Sequence, residues 1–168
     1  INQHDMAMSQ GTFECMHWKG MPLFKTVYDF SLMSMMIWDV KPKTIIELGS
    51  GTGASAIWMA DLGKSFALDC QVLSMDINKP EFKVKGVEFI NGDCNFIDKY
   101  FPESNLQKLP HPWIIIEDAH VNLLGVINHF TPYLHVGDYL IVEDSRVDKT
   151  DILRKWASVN SKKFKVDT

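Results

Sequence analysis

The sequence lacks the features that mark several classes of protein. Its three cysteines, Cys15, Cys70 and Cys94, are widely spaced, which fits neither a disulfide framework nor a zinc site and predicts a reducing, cytoplasmic location. No apolar stretch reaches the roughly 20 residues that a membrane-spanning helix needs, so no membrane partner is expected. The formal charge of −4 leaves no basic excess to neutralise phosphates, and no nucleic-acid partner is expected either.

What the sequence does contain is an alternation of strand and helix patterns. A length of 168 residues with 46% hydrophobic residues is enough for one domain with a substantial core. The predicted strands are residues 44–48, 71–76, 87–90, 113–118, 139–144 and a sixth that starts at 164–166. The predicted helices are residues 26–40, 54–62, 95–100, 121–134 and 150–160. This order predicts a doubly wound, Rossmann-like α/β fold, with a mainly parallel sheet and helices on both faces.

The domain boundary is predicted near residue 25. Residues 1–24 contain Gly11, Gly20 and Pro22 but show no sustained period, which predicts an irregular N-terminal arm. That arm could reach a neighbouring subunit, so a homo-oligomer is left open. Residues 25–168 are the predicted Rossmann-like domain. The chain opens on Ile1, and we expect its true start to lie further upstream.

A glycine-rich turn between the first strand and the second helix is the first candidate site. Glu47 lies in that strand, and Gly49, Ser50, Gly51 and Gly53 follow it directly. Glycines allow a sharp turn and let backbone N–H groups approach a nucleotide-like cofactor. Ser55 lies in the first turn of the helix predicted to follow. A purely structural glycine turn is the alternative explanation.

Two acids further along the chain extend this candidate site. Asp76 ends the second predicted strand, where a carboxylate can accept hydrogen bonds from the hydroxyls of a ribose. Asp93 follows the third strand in Asn91-Gly92-Asp93 and could lie near an adenine amino group. An ordinary Asx turn explains Asp93 equally well.

More acids end the fourth and fifth strands. Asp118 ends one, and the adjacent pair Glu143 and Asp144 ends the other. Carboxyl ends of parallel strands share one rim of a sheet, and clustered carboxylates repel one another unless a cation lies between them. Mg²⁺ prefers such oxygen ligands, although solvated loop acids are the alternative. His120 lies beside the cluster as a candidate base, metal ligand or orienting group.

Several of these stretches resemble the class I S-adenosylmethionine (SAM)-dependent methyltransferases. Residues 47–53 resemble that family's glycine-rich motif, and Asp76 matches its ribose-binding acid. Three further stretches are similar to the cephalosporin-hydroxylase-like, CmcI-type O-methyltransferases. They are residues 18–22 with Lys25 and Asp29, residues 114–120, and residues 137–144.

The resemblance implies a Mg²⁺-assisted transfer of a methyl group from SAM to a hydroxyl of a small molecule. Its implied metal ligands are Asp118, Glu143 and Asp144, with Glu117 as an alternative to Asp118, and its implied catalytic residues are His120 and Asp118. The implied cofactor-binding residues are Glu47, Gly49, Ser50, Gly51, Gly53, Ser55, Asp76 and Asp93. Catechol-type relatives carry a lysine three positions after the first metal acid, where this chain has Val121.

Two features leave other functions open. Methyltransferases of this class usually have seven strands, the last antiparallel, whereas this sequence supports about six; either a C-terminal part is absent or the sheet is completed differently. Residues 49–54 also satisfy a looser dinucleotide pattern, so an NAD(P)-dependent oxidoreductase is the first alternative. A non-catalytic binding module of the same fold is the second.

Overall fold

A five-stranded parallel sheet forms the centre of the protein in the computed structural model, which describes residues 16–145 and 147–166. The strands are β1 (His17–Trp18), β2 (Met21–Pro22), β3 (Thr44–Leu48), β4 (Gln71–Asp76), β5 (Val87–Asn91), β6 (Trp113–Glu117) and β7 (Tyr139–Val142). The last five form the sheet in the order β5-β4-β3-β6-β7, and every neighbouring pair is parallel. The order reverses at β3, where a doubly wound sheet binds its ligand.

Helices cover both faces of this sheet, as the sequence predicts. They are α1 (Val27–Val40), α2 (Ala54–Ser65), α3 (Ile97–Tyr100), α4 (Glu103–Leu106), α5 (Leu123–Phe130) and α6 (Val147–Asn160), with 3₁₀ turns at Cys94–Phe96 and Thr131–Tyr133. One core contains buried residues of α1 and α2, and the other contains buried residues of α3 and α5. The predicted Rossmann-like fold class is confirmed. No helix in the described ranges is long and apolar enough to cross a membrane.

The central strands are buried on both faces because their side chains alternate between the two cores. In β6, Ile114 packs with the α1 and α2 side, whereas Ile115 packs with the α3 and α5 side. Ile45 and Ile46 of β3 divide in the same way. Strands covered on both faces have near-continuous apolar sequences, which is why the sequence predicts β3 and β6 so well.

Helix α1 begins and ends at local sequence signals. The Thr26 hydroxyl accepts from the Asp29 backbone N–H, and the Asp29 side chain accepts from Thr26 in return, which makes a capping box. Lys41 closes the helix in the left-handed conformation at φ 51°, and Pro42 follows it. Lys25 is the residue just before the Thr26 cap.

Other predictions of local structure are wrong. Residues 164–166 form no strand; instead the Phe164 ring packs on Trp156 of α6 at 5.2 Å between centroids. Helix α2 does not end before Gly63 but continues to Ser65. The fourth and fifth sheet strands end at Glu117 and Val142, so Asp118, Glu143 and Asp144 begin the loops that follow.

The segment before α1 is more ordered than the sequence predicts. Strands β1 and β2 pair as an antiparallel hairpin, joined by Lys19 and Gly20 at φ 50° and 82°, which is the backbone of a two-residue hairpin turn. Trp18 donates to Asp61 of α2 at 2.8 Å, so the hairpin is packed on the domain. Residues 1–15 of the predicted arm, including Cys15, lie outside the described residues.

Candidate functional site

A cleft of about 500 Å³ opens at the carboxyl ends of the strands, around the point where the strand order reverses. Most of the residues that the sequence predicts for a cofactor or a metal line it. They are Gly49, Ser50, Gly51, Ser55, Asp76, Asp93, Asp118, His120 and Asp144. The cleft therefore lies where ligands bind in doubly wound sheets, beyond the carboxyl ends of the parallel strands.

The glycine turn lies close against the loop that follows β6. Gly49 has a φ of 104°, and a Cβ built on it would lie 2.7 Å from the carbonyl oxygen of Asp118. That distance is too short for any side chain, so the residue must be glycine for the two loops to meet. The contact joins the predicted cofactor turn to the predicted metal acids.

Asp76 is tied directly to the glycine turn. Its Oδ2 accepts from the Gly51 N–H at 2.9 Å, and its Oδ1 accepts from the Asn78 N–H at 2.9 Å. Asp93 lines the same cleft and accepts from the Asn95 N–H at 2.8 Å. Asp93 therefore forms an Asx turn and also lines the cleft.

Glu47 and Gly53, also predicted for cofactor binding, are not among the lining residues. Glu47 is fully buried, and its Oε2 accepts from Ser74 Oγ at 2.5 Å. Burial raises the pKa of this carboxyl, and Lys25 opposes that rise. Ser50 and Ser74 share a hydroxyl–hydroxyl hydrogen bond at 2.6 Å. Glu47 is therefore linked to the glycine turn through Ser74 and Ser50. Gly53 is the N-cap residue of α2.

Asp118, His120 and Asp144 form a compact group in the same cleft. Potential ligand atoms of all three lie within 4.8 Å of one another. His120 Nε2 lies 3.5 Å from Asp118 Oδ1 and 3.6 Å from Asp144 Oδ2. Both His120 and Asp144 have a positive φ, 59° and 48°, a conformation that costs a non-glycine residue of order 1 kcal/mol or more.

Glu143 is predicted as a metal ligand, but its carboxylate is not part of this group. Its Oε2 pairs with Lys25 Nζ at 2.5 Å, and the same ammonium lies 2.7 Å from Asp118 Oδ2. Glu143 Oε1 is buried and has no hydrogen-bond partner among the described residues. Burial raises the pKa of Glu143 to about 7, against the opposing effect of Lys25. A buried carboxylate needs a nearby positive charge to offset the loss of water. For Glu143 this charge is the Lys25 ammonium.

Lys25 responds to the same surroundings. Burial alone would lower the pKa of its ammonium, but Glu143 and Asp118 together raise it well above its usual value. Its side chain is only 3% exposed. Lys25 is therefore a permanent positive charge between the two acids.

Glu117 and Asp118 differ in their exposure to the cleft. Glu117 is fully buried; its Oε1 accepts from the His120 N–H at 2.9 Å and its Oε2 pairs with Lys149 Nζ at 2.9 Å. Asp118 is the one of the two that lines the cleft. Alternation along a strand explains this difference, since adjacent residues face opposite sides.

Sequence reasoning did not find the two buried lysines of the site. Lys25 precedes α1, and Lys149 lies in α6, so each is far in sequence from the carboxylates that it contacts. Lys25 does occur in a family-like stretch, but nothing in the local pattern around Lys149 distinguishes it from other helix-surface lysines. Only the fold brings both ammonium groups to the acidic rim.

The structure defines a Rossmann-like domain with a cleft at the switch point of its sheet. The family model described as Rhamnosyl O-methyltransferase/CmcI matches residues 10–99. The chain belongs to this family, and the resemblance inferred from its motifs is confirmed.

Curated relatives in this family are rhamnosyl O-methyltransferases of mycobacteria. The chain is 25% identical over 150 residues to that of Mycobacterium leprae (strain TN), covering 84% of this chain and 65% of the relative. It is 23% identical over 145 residues to that of Mycobacterium tuberculosis (strain ATCC 25618 / H37Rv), covering 80% and 58%. The chain thus spans less than two thirds of the length of these relatives.

Solved structures give the same family and the same fold. A structure of CmcI with Mg and SAM superposes with a TM-score of 0.77 at 28% identity, covering 89% of this chain and 68% of that one. A second CmcI structure, with S-adenosylhomocysteine (SAH), gives a TM-score of 0.69 at 28% identity, covering 86% and 77%. MycE, a methyltransferase of mycinamycin biosynthesis, shares the fold at 18% identity, with a TM-score of 0.57 and coverage of 83% and 38%.

Proposed function

We propose that the protein transfers a methyl group from SAM to a hydroxyl oxygen of a small molecule, with Mg²⁺ or a similar divalent cation bound beside the cofactor. The observation that carries this proposal is a single cleft that contains both the glycine turn tied to Asp76 and the group Asp118, His120 and Asp144. CmcI, a structural neighbour, has been solved with Mg and SAM together.

The cofactor half of the cleft suits a nucleoside that carries a positive sulfonium. Gly49, Ser50 and Gly51 would provide the backbone turn around it, and Asp76 is positioned to accept from ribose hydroxyls. Ser55 and Asp93 complete the lining. Glu47 and Gly53 would act indirectly, by supporting the turn and by starting α2.

The acidic half suits a hard cation. Asp118 and Asp144 offer carboxylate oxygens to the cleft, and Glu143, whose buried Oε1 has no hydrogen-bond partner among the described residues, is the third proposed ligand. Bound there, a divalent cation would lower the pKa of a coordinated hydroxyl and orient its oxygen. His120 is positioned to contact that oxygen, so we assign it and Asp118 as the catalytic residues.

The acceptor is proposed by chemistry and by family. Apolar side chains of Phe24, Ile77 and Val121 line the cleft together with its acids, which suits a ligand with both apolar and hydroxyl-bearing parts. The relatives named rhamnosyl O-methyltransferases make sugar hydroxyls the first acceptors to test. We also propose a reducing compartment, since Cys70 and Cys94 are both free thiols.

Thermal unfolding with added ligands tests the cofactor. A ligand raises the melting temperature only if it binds the folded protein. We therefore expect SAH to raise the melting temperature and NAD to leave it unchanged. Asp76→Asn should reduce the SAH effect, whereas Asp98→Asn, on an exposed acid of α3, should not. Stabilisation by NAD instead would favour the oxidoreductase, and no response to either would favour a non-catalytic module.

Transfer of labelled methyl from SAM to a panel of rhamnosides and catechols tests the reaction. We expect a labelled product only with a divalent cation present, and none with EDTA. SAH binding without turnover on any acceptor would keep the cofactor site and reject the proposed reaction for this chain.

A further inference from the structure

Lys149 lies beneath the acidic group and contacts three acceptors at once. Its Nζ is 2.9 Å from Glu117 Oε2, 3.0 Å from the backbone oxygen of Glu143 and 2.9 Å from His120 Nδ1. The side chain is 10% exposed. An ammonium has three hydrogens, and this geometry offers one acceptor to each of them.

The partners fix the direction of these hydrogen bonds. Both oxygens of Glu117 receive a donor, one from the His120 N–H and one from Lys149. A carboxylate and a backbone carbonyl can only accept. Lys149 therefore donates to both as an ammonium, and its third hydrogen points at His120 Nδ1.

We propose that Lys149 is a positioning residue that holds His120 in the tautomer with its proton on Nε2. A hydrogen donated to Nδ1 needs a lone pair on that nitrogen, and a neutral imidazole with a lone pair on Nδ1 carries its proton on Nε2. The Nε2–H then faces Asp118 and Asp144 from 3.5 Å and 3.6 Å.

This proton position determines what His120 can do in the cleft. An Nε2–H is a hydrogen-bond donor, so in this state the ring is neither a metal ligand through Nε2 nor a base at that atom. The three roles left open by the sequence reduce to one, an orienting donor toward oxygen. The orienting role in methyl transfer rests on the proposed function, whereas the tautomer itself does not.

Long-range proton–nitrogen NMR correlations on the full chain, labelled with ¹⁵N-histidine, test the tautomer directly. Two other histidines are internal references. His129 Nε2 contacts the Phe101 carbonyl at 2.8 Å and must carry a proton, whereas His111 Nδ1 carries one because it faces Asp138 Oδ2 at 2.8 Å. We expect the His120 signals, assigned by their loss in His120→Gln, to match the His129 pattern.

Variants at Lys149 test the cause. In Lys149→Met the defined Nε2–H pattern should be lost and replaced by exchange between the two tautomers, while Lys149→Arg, which keeps the donors, should retain it. Because Lys149→Met leaves the Glu117 charge buried and unpaired, it could fail to fold; the wild-type spectrum then decides alone.

Two outcomes would overturn the proposal. One is a wild-type spectrum in which His120 carries its proton on Nδ1, or on both nitrogens. The other is loss of the Nε2 proton when Mg²⁺ is added, which would make His120 a metal ligand. Neither outcome depends on turnover, so the His120 tautomer can be determined even if the methyl-transfer assay fails.

Discussion

Asp144 has an unusual backbone conformation at the edge of the cleft. Its φ is 48°, and its side chain is 52% exposed. Asn also adopts the left-handed region readily, so Asp144→Asn removes the charge without adding backbone strain. We expect this variant to lose at least about tenfold in Mg²⁺ affinity by calorimetry, since it removes the charge of one proposed oxygen ligand.

The same variant should bind SAH with an affinity close to that of the wild type, because Asp76 and the glycine turn are unchanged. Asp98→Asn is the matched control and should alter neither affinity. A parallel loss of SAH and Mg²⁺ binding in Asp144→Asn would mean that the two halves of the cleft are not separate sites.

The raised pKa of Glu143 predicts that the stability of the fold depends on pH. Its folded pKa is about 7, against 4.5 for the free side chain. A carboxyl with a raised folded pKa stabilises the fold when protonated. That contribution is fully present below about pH 4.5 and is lost as the pH rises through about 7. At about 1.4 kcal/mol per unit of pKa, the loss reaches about 3 kcal/mol.

Urea unfolding of the wild type and Glu143→Gln between pH 5 and 8, without divalent cations, measures this effect. The free energy of unfolding of the wild type should fall relative to that of Glu143→Gln as the pH rises. Glu88→Gln, on an exposed acid of β5, should track the wild type throughout. A constant difference between wild type and Glu143→Gln would show that Glu143 is ionised over the whole range.

At the scale of residues, the sequence predicts positions in the chain better than it predicts partners. Asp76, Asp118 and Asp144 lie in the cleft because strand ends share one rim. Glu143 shares that rim but is turned to Lys25. Pairing of this kind depends on Lys25, which precedes α1, and on Lys149 of α6, which reach the acids through tertiary packing, and no local pattern encodes it.

At the scale of elements, the turn after β3 gives a sharp contrast between two glycines. A Cβ on Gly49 would lie 2.7 Å from the Asp118 backbone, whereas a Cβ on Gly51 would meet only Phe24 Cδ2, at 3.8 Å. Gly49→Ala should therefore lose about 3 kcal/mol or more, because backbone must move. Gly51→Ala should lose only about 1–2 kcal/mol, the usual cost of left-handed backbone.

Chemical denaturation of both variants measures this difference, and each is the control for the other because the added atom is the same. Equal losses would show that the loop after β6 can move away from Gly49 at little cost. The contact between the two loops would then not be what fixes glycine at this position.

Element boundaries show where sequence patterns succeed and fail. Strands β3 and β6 are predicted well because burial on both faces gives an unbroken apolar run. Phe164 and Val166 also predict a strand at residues 164–166, but Phe164 packs on Trp156 instead of joining the sheet. The sequence cannot distinguish these outcomes, because apolar residues predict burial but do not specify which element they pack against.

At the scale of the whole molecule, protection against hydrogen exchange should follow the order of the sheet. β3 and β6 are buried at every residue and pair on both sides, whereas β5 and β7 have one partner strand each in the sheet. Amides that face away from β6 along β7 lack a sheet partner among the described residues. Core strands open only with global unfolding, and edges open locally at lower cost.

We therefore expect amides of β3 and β6 to exchange most slowly, those of β4 next, and those of β5 and β7 fastest, in exchange measured by mass spectrometry. The edge at β7 is where this sheet, with fewer strands than its class usually has, would accept another strand. Repeating the measurement at low and high protein concentration distinguishes an open β7 edge from one that pairs with a second copy of the chain. Protection of β7 equal to that of β3 at every concentration would contradict an open edge, and protection that rises with concentration would locate self-association there.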